Sequence, residues 1–378
     1  MEEQTREQTS EQLQEQIREN RMENRKAGHR GNGYHSHEID MVHGPLLGKL
    51  LLFAIPLMIS SMMQLLFNAA DIVVVGRFAG DESLAAVGST SSLINLLTNL
   101  FIGLSVGANV VVAHYIGSGE KDKISETIHT SMVVSVICGV IMTVFGASLA
   151  GVLLELMSSP QDVIGLATLY LRIYFLSMPA VMVYNFGSSI LRAAGDTRRP
   201  LYYLLIAGVV NVVLNLIFVI LCAMDVAGVA IATVVSQYIS AGLVVGCLMK
   251  EEGELHLSLS ELHVSKEILI KIVKIGLPAG LQGTVFSLSN VVIQSAINSF
   301  GKVVVAGNAA ASNIEGFVYM AMNALHQTAL SFTGQNFGAG KKKRIIRVLL
   351  LCQAIVIAVG VVFGNLVVIF GRQLLSIY

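Results

Sequence analysis

The sequence predicts an all-α, polytopic membrane protein made of two parallel repeats of a six-helix lobe, with the second repeat incomplete. Three observations carry that prediction. The 378 residues are 54% hydrophobic and 13% charged, against about a quarter charged in a soluble domain. The apolar residues gather into long runs, each able to cross a bilayer, which takes ~20 residues at a rise of ~1.5 Å. Finally, landmarks of the first half return in the second. KLLLFAIP (Lys49 to Pro56) returns as KIVKIGLP (Lys271 to Pro278), Asn68 falls on Asn290, and HYIGSGEKDK (His114 to Lys123) returns as QNFGAGKKKR (Gln335 to Arg344). Repeats of this kind, related by an axis along the membrane normal, belong to secondary transporters that bind between their halves near mid-depth.

The chain opens with residues 1–44, a Glu/Gln/Arg-rich stretch read as a disordered cytoplasmic tail, because it lacks the apolar surface to offset its ordering entropy. It has no apolar h-region, so it is not a signal peptide. Spans are expected at 46–76, 84–114, 126–152, 164–188, 200–222, 227–249, 268–298, 304–333 and 346–370. Residues 45–250 then form the six-helix N-terminal lobe, 251–265 a cytoplasmic inter-lobe loop, and 266–378 an incomplete C-terminal lobe of helices 7–9. Lys121, Lys123, Arg192, Arg198, Arg199, Lys250, Lys266 and the Lys341–Arg344 run flank alternate loops, while the others carry only Arg77 and Lys302. The positive-inside rule therefore puts the N-terminus in the cytoplasm of a multi-pass cell-membrane protein. The same run of cations could select anionic lipid, but topology alone accounts for it.

Asp71 is the leading candidate for function, since a carboxylate at membrane depth costs ~2.5 kcal/mol or more and marks an ion or substrate path. Gln64, Asn68 and Asp71 fall on one helix face. Asn185, Asn211 and Asn215 are expected to complete a cation-coupling site there, although an interhelical asparagine hydrogen bond worth ~0.6 kcal/mol is the plainer role for each. The site could relay a proton or hold Na⁺, the one metal expected. Glu315, with Asn290 and Gln282, is the second-lobe candidate. Met58, Met62 and Met63 could line a substrate cavity, as flexible thioethers suit promiscuous pockets, or simply pack. Gly103 and Gly107 are spaced for close helix contact. The four cysteines read as small buried hydrophobes without ligand spacing. No P-loop, nucleophile–base pair or basic nucleic-acid stripe is present, so neither an enzyme nor a nucleic-acid partner is expected.

Several stretches carry a resemblance. FNAADIVVVGRFAG in span one, AHYIGSGEKDK, SSILRAAGDTRRP, VAGVAIATVVSQ, IGLPAGLQ and LSFTGQNFGAGKKKR together resemble the multidrug and toxic compound extrusion (MATE) transporters, from Leu46 to the end. The resemblance implies a twelve-helix antiporter, monomeric when full length. It would export amphipathic, often cationic compounds in exchange for Na⁺ or H⁺, need no other cofactor, and use Asp71 as the coupling carboxylate. One departure stands out: the seventh span, which is acidic in some members, reads LQGTVFSLSNVVIQSAIN with no carboxylate. By the repeat, Tyr378 corresponds to Met157, and spans four to six have no second-half counterpart. The expectation is therefore a C-terminally truncated product with about nine of twelve spans. A lipid-linked precursor flippase and a non-transporting fragment are the alternatives, and the scarcity of Arg and Lys within the spans argues against the large anionic head group of the former.

Overall fold

A computed structural model describes residues 38–157, 161–298, 300, 302–371 and 373. The expected disorder of 1–37 lies outside these residues. All regular structure among them is helical. Each expected span falls in one helix except the fourth. The helices are α1 (Leu46–Phe78), α2 (Asp81–Ser118), α3 (Lys121–Leu156), α4 (Gln161–Phe175), α5 (Met178–Ala194), α6 (Arg198–Leu216), α7 (Asp225–Lys250), α8 (Lys266–Asn298), α9 (Lys302–Gly338) and α10 (Lys342–Ile369). Seven are long and apolar enough to cross a membrane, and α4 with α5 makes an eighth span if the bent pair counts once. The α9 helix forms where span eight was expected but falls short of that apolar standard. Asn308, Ser312, Asn313 and Glu315 interrupt its first half. Pro56 lies inside α1 and Pro278 inside α8, each a helix of 33 residues.

The fourth span corrects the sequence reading. Instead of one helix over 164–188 there are two, α4 and α5, meeting at a 47° bend. Pro179, in the first turn of α5, has no N–H to continue the ladder and its ring crowds the preceding turn. The carbonyls this frees are satisfied by side chains, as membrane depth requires. Ser177 Oγ donates to Tyr174 O at 2.6 Å, Thr143 Oγ1 of α3 to Phe175 O at 2.7 Å, and the Tyr238 hydroxyl of α7 to Leu176 O at 3.2 Å.

The main core lies among α2 to α7, around Ile128, Leu171, Phe175, Met182, Phe186 and Val244. A smaller cluster joins α1 to α9 and α10, where Phe53 and Phe332 meet edge to face at 5.6 Å. Gly103 and Gly107 make the close contact expected of them, and the partner helix is α8. A Cβ at Gly103 would stand 2.2 Å from the Gly280 nitrogen, and one at Gly107 2.3 Å from the Ile272 carbonyl. Large apolar side chains such as Phe145, Val209 and Leu350 stay exposed on the outer faces, as a lipid-facing surface would.

Two further expectations change. The end of the tail, drawn at 44, is too late: Ile39–Gly44 is a packed strap. Met41 is fully buried, the Ile39 N–H donates to Gly195 O at 3.2 Å, and Asn336 Nδ2 reaches Met41 O at 3.1 Å. Arg344 donates to the carbonyls of Met41, His43 and Gly44, Lys341 to that of Val42, and Lys49 to those of Asp40 and His43. Nearly every bond goes to backbone, so side-chain polarity gave no warning. Cys222 is exposed rather than buried, because it follows a π-helical turn (Ile217–Leu221) at the α6–α7 connection. The loop 251–265 docks on α3, with the Ser258 N–H donating to His129 Nε2 at 3.1 Å and the Ser265 N–H to Thr130 Oγ1 at 3.0 Å.

Candidate functional site

A close approach of α1 and α6 builds the site. Gly208 on α6 leaves room for Phe67, whose ring would stand 2.0 Å from a Cβ there. Further along each helix, the same faces carry Asp71 one turn beyond Phe67, and Asn211 and Asn215 one and two turns beyond Gly208. Asn215 is fully buried, and its Nδ2 donates to Asp71 Oδ1 at 2.5 Å. The same nitrogen lies 3.4 Å from Asn211 Oδ1, and Asn211 Nδ2 in turn lies 3.4 Å from Thr233 Oγ1 on α7. Thr233 ends the series by donating to Val229 O at 3.0 Å.

This polar line crosses three helices in otherwise apolar surroundings. It is incomplete at one atom: Asn215 Oδ1 is buried with no hydrogen-bond partner among the described residues. An unpaired acceptor in such a place costs about 1–3 kcal/mol, and here it lies beside a half-buried carboxylate. Immediately after Asn215 the helix widens into the π turn, a feature frequent at functional sites. From α4, the stacked rings of Tyr170 and Tyr174, with centroids 5.8 Å apart, lie within range of the Asp71 charge.

Of the residues singled out in the sequence, the structure joins Asp71 to Asn215 and, through it, to Asn211. Gln64 and Asn68 share the helix with Asp71 but are exposed, with no hydrogen bond to it among the described residues. Asn185 turns back on its own helix, its Nδ2 donating to Val181 O at 2.8 Å. Met58 packs against the Phe53–Phe332 cluster, which is the plain packing role, while Met62 and Met63 are half-buried along α1. Glu315 on α9 and Gln282 and Asn290 on α8 are all exposed, and no hydrogen bond or ion pair joins them among the described residues. Thr233, Tyr170 and Tyr174 were missed. Thr233 could have been found as a polar residue in the span-six opening, whereas nothing in the tyrosine spacing points to Asp71.

A second buried polar joint was also missed. Asn109 on α2 donates to Ser189 O on α5 at 2.8 Å and accepts from Ser331 Oγ on α9 at 3.1 Å. One turn on, Gln335 Nε2 donates to Ala193 O at 2.7 Å. These bonds tie first-half helices to α9 on the side where the strap lies, far along α1 from Asp71.

Comparison with known proteins gives a consistent result. A family model described as MatE matches residues 56–217 and 278–378. The probable multidrug resistance protein YoeA of Bacillus subtilis is 26% identical over 86% of this chain and 72% of its own length. An FAD transporter of Shewanella oneidensis is 25% identical over 89% of this chain and 76% of its own. Among solved structures, an outward-facing multidrug resistance MATE transporter of the MOP superfamily superposes with a TM-score of 0.84. It is 26% identical and covers 91% of this chain and 76% of that one. A MOP superfamily transporter from Pyrococcus furiosus, for which reversed polarity of the binding pocket was taken to suggest a different function, gives 0.82 at 26% identity, over 88% and 74% of the two chains.

Proposed function

This chain belongs to the MatE family of multidrug efflux transporters, and from that premise we propose that it is a secondary antiporter in which Asp71 and Asn215 carry the coupling ion. The observation behind the reading is the orphaned Asn215 Oδ1 beside the Asp71 carboxylate. In the ionised state the asparagine N–H supports the carboxylate. When the carboxyl takes a proton it becomes a donor, and turning the Asn215 amide by half a turn would offer its oxygen as the acceptor. When Na⁺ binds instead, the same oxygen and the two carboxylate oxygens supply three hard ligands. Either way the site has two discrete arrangements, which alternating access needs.

The cargo we propose is an amphipathic organic cation. Expelling it would accompany uptake of the small cation at Asp71, so the same carboxylate need never stay both buried and unpaired. A large anionic cargo would call for Arg or Lys around the site, and among the described residues none bonds to the Asp71–Asn215–Asn211–Thr233 line. Small-molecule cargo and membrane setting follow from the family. The cytoplasmic N-terminus, the two-lobe division, the monomeric state and the absence of catalysis are part of the proposal.

Vesicles loaded with the purified chain and given either an Na⁺ or an H⁺ gradient test the coupling. Uphill accumulation of a cationic dye in response to one gradient, lost in Asp71→Asn, is the expected result. Uphill transport retained by Asp71→Asn would sink the proposal. Orientation has its own test: native Cys222 should react with an impermeant thiol reagent on intact cells, and an introduced Ser118→Cys only after permeabilisation. The opposite pattern would reverse the topology.

A further inference from the structure

The chain enters α1 through the strap and enters α8 through the loop 251–265. These two lead-in segments occupy matching places in the repeat: Met41 lies eight residues before Lys49, and His263 eight before Lys271. Each is gripped by the other half of the chain. The strap precedes a first-half helix, yet its carbonyls are held by Asn336 of α9 and by Lys341 and Arg344 where α10 begins. The loop precedes a second-half helix, yet it is held on α3 of the first half. The Ser258 and Ser265 N–H groups donate to His129 Nε2 and Thr130 Oγ1 there, and Lys121 pairs with Glu254.

On the same side the halves meet at a crossing of α2 and α9 that obeys the repeat as well. Gly117 matches Gly338, and His114 matches Gln335, in the aligned segments HYIG and QNFG. A Cβ at Gly117 would run into the Gln335 carbonyl, and one at Gly338 into the His114 carbonyl. The contact is therefore reciprocal, as across a two-fold axis. Backbone meets backbone at both glycines, so no side chain has to be withdrawn at these two positions for the halves to part. Beside the crossing lie the Ser331–Asn109 and Gln335–Ala193 bonds.

We propose that the strap and the loop 258–265 are a matched pair of latches that fasten the two halves over the α2–α9 crossing and must release for the halves to part on this side. The inference rests on the antiporter reading above, because halves that rock have to open this joint once per cycle. The chemistry suits a fastening that opens. Long Lys and Arg side chains on carbonyls exchange those bonds for water at little net cost, and fully buried Met41 gives the strap one seat to return to.

The test is thiol labelling of the full chain in detergent, read site by site by mass spectrometry. Ser331→Cys places a reporter at a buried position of the joint, and native Cys247, buried within the first half, is the control for unfolding. No gradient or cargo is present, so failure here leaves the coupling role of Asp71 standing. With both latches intact, position 331 should label slowly. Lys341→Gln combined with Arg344→Gln removes four strap bonds and should raise that rate about tenfold while Cys247 stays slow. Thr130→Val frees the loop at Ser265 and should raise it about threefold. If the double variant does not fold, Arg344→Gln alone should still give a several-fold rise. An unchanged rate at position 331 in the strap variants overturns the proposal, and an unchanged rate in Thr130→Val overturns the pairing. An equal rise at Cys247 would make the strap a prop of the whole fold and overturn the latch.

Discussion

Asp71 and Glu315 are both carboxylates in helices that the sequence marks as membrane spans, and each was a reasonable candidate. The structure treats them differently. Asp71 accepts from a fully buried asparagine, which leads on to a second asparagine and a threonine on a third helix. Glu315 is exposed and joined to nothing among the described residues. A carboxylate at membrane depth is costly unless it is paired or faces water. What separates the two is convergence: α6 and α7 bring partners to Asp71, and α8 brings none to Glu315 among the described residues. The presence of an acid is thus weaker evidence for a coupling site than the company other helices bring to it.

The comparison can be broken or sharpened by experiment. The largest effect is expected from Asp71→Asn, which should reduce gradient-driven dye transport to background while leaving expression and thermal midpoint intact. Asn keeps the shape but exchanges no proton and binds cations less well. Asn215→Leu comes next. It removes the donor to Asp71 and the orphaned acceptor together, and an interaction of about 1–3 kcal/mol predicts coupling-ion affinity lower by up to about a hundredfold, read from the ion dependence of transport. Thr233→Val removes only the end of the line, worth ~0.6 kcal/mol, so the same dependence should shift by less than about threefold.

A pH series separates the site from the strap. Burial of Asp40 opposes its charge, but hydrogen bonds from the Val42 and His43 N–H groups, then Lys49 and His43, outweigh it and hold the carboxyl below the usual range. A depressed value contributes stability that is complete at neutral pH and lost only as pH falls through it. The melting difference between wild type and Asp40→Asn should therefore persist down to the usual carboxylate range and vanish only in stronger acid. Loss of that difference above about pH 5 would show that another group governs the strap. Glu315→Gln is expected to leave transport unchanged, and loss of coupling there would erase the contrast with Asp71.

Much of this was legible in the chain. Apolar run length and charge located the helices, because the bilayer imposes one length on every span. The carboxylate inside an apolar span pointed to Asp71 before the resemblance did, and Gly103 with Gly107 announced a close contact whose partner only the structure identifies. Helix-face arithmetic on α1 grouped Gln64 and Asn68 with Asp71, but no hydrogen bond joins them to it among the described residues, because a shared face says nothing about which neighbouring helix covers it. Asn215 and Thr233 join Asp71 through rotations of α6 and α7 that no local pattern encodes. The strap was hidden for a different reason. Its bonds are made by backbone carbonyls, which every residue has, and the side-chain signal was no more than the short apolar group Ile39, Met41 and Val42 in a polar stretch.

The bend between α4 and α5 has a consequence for how the protein is made. Its carbonyls are satisfied by Thr143 on α3, which precedes the bend in the chain, and by Tyr238 on α7, which follows it by two helices. Until α7 has joined the bundle, the Leu176 carbonyl lacks this donor. The segment from Gln161 to Ala194 therefore gains the last of these bonds only once the sixth apolar stretch has been synthesised. Assembly in the membrane then runs backwards along the chain at this point, with a later helix completing an earlier one.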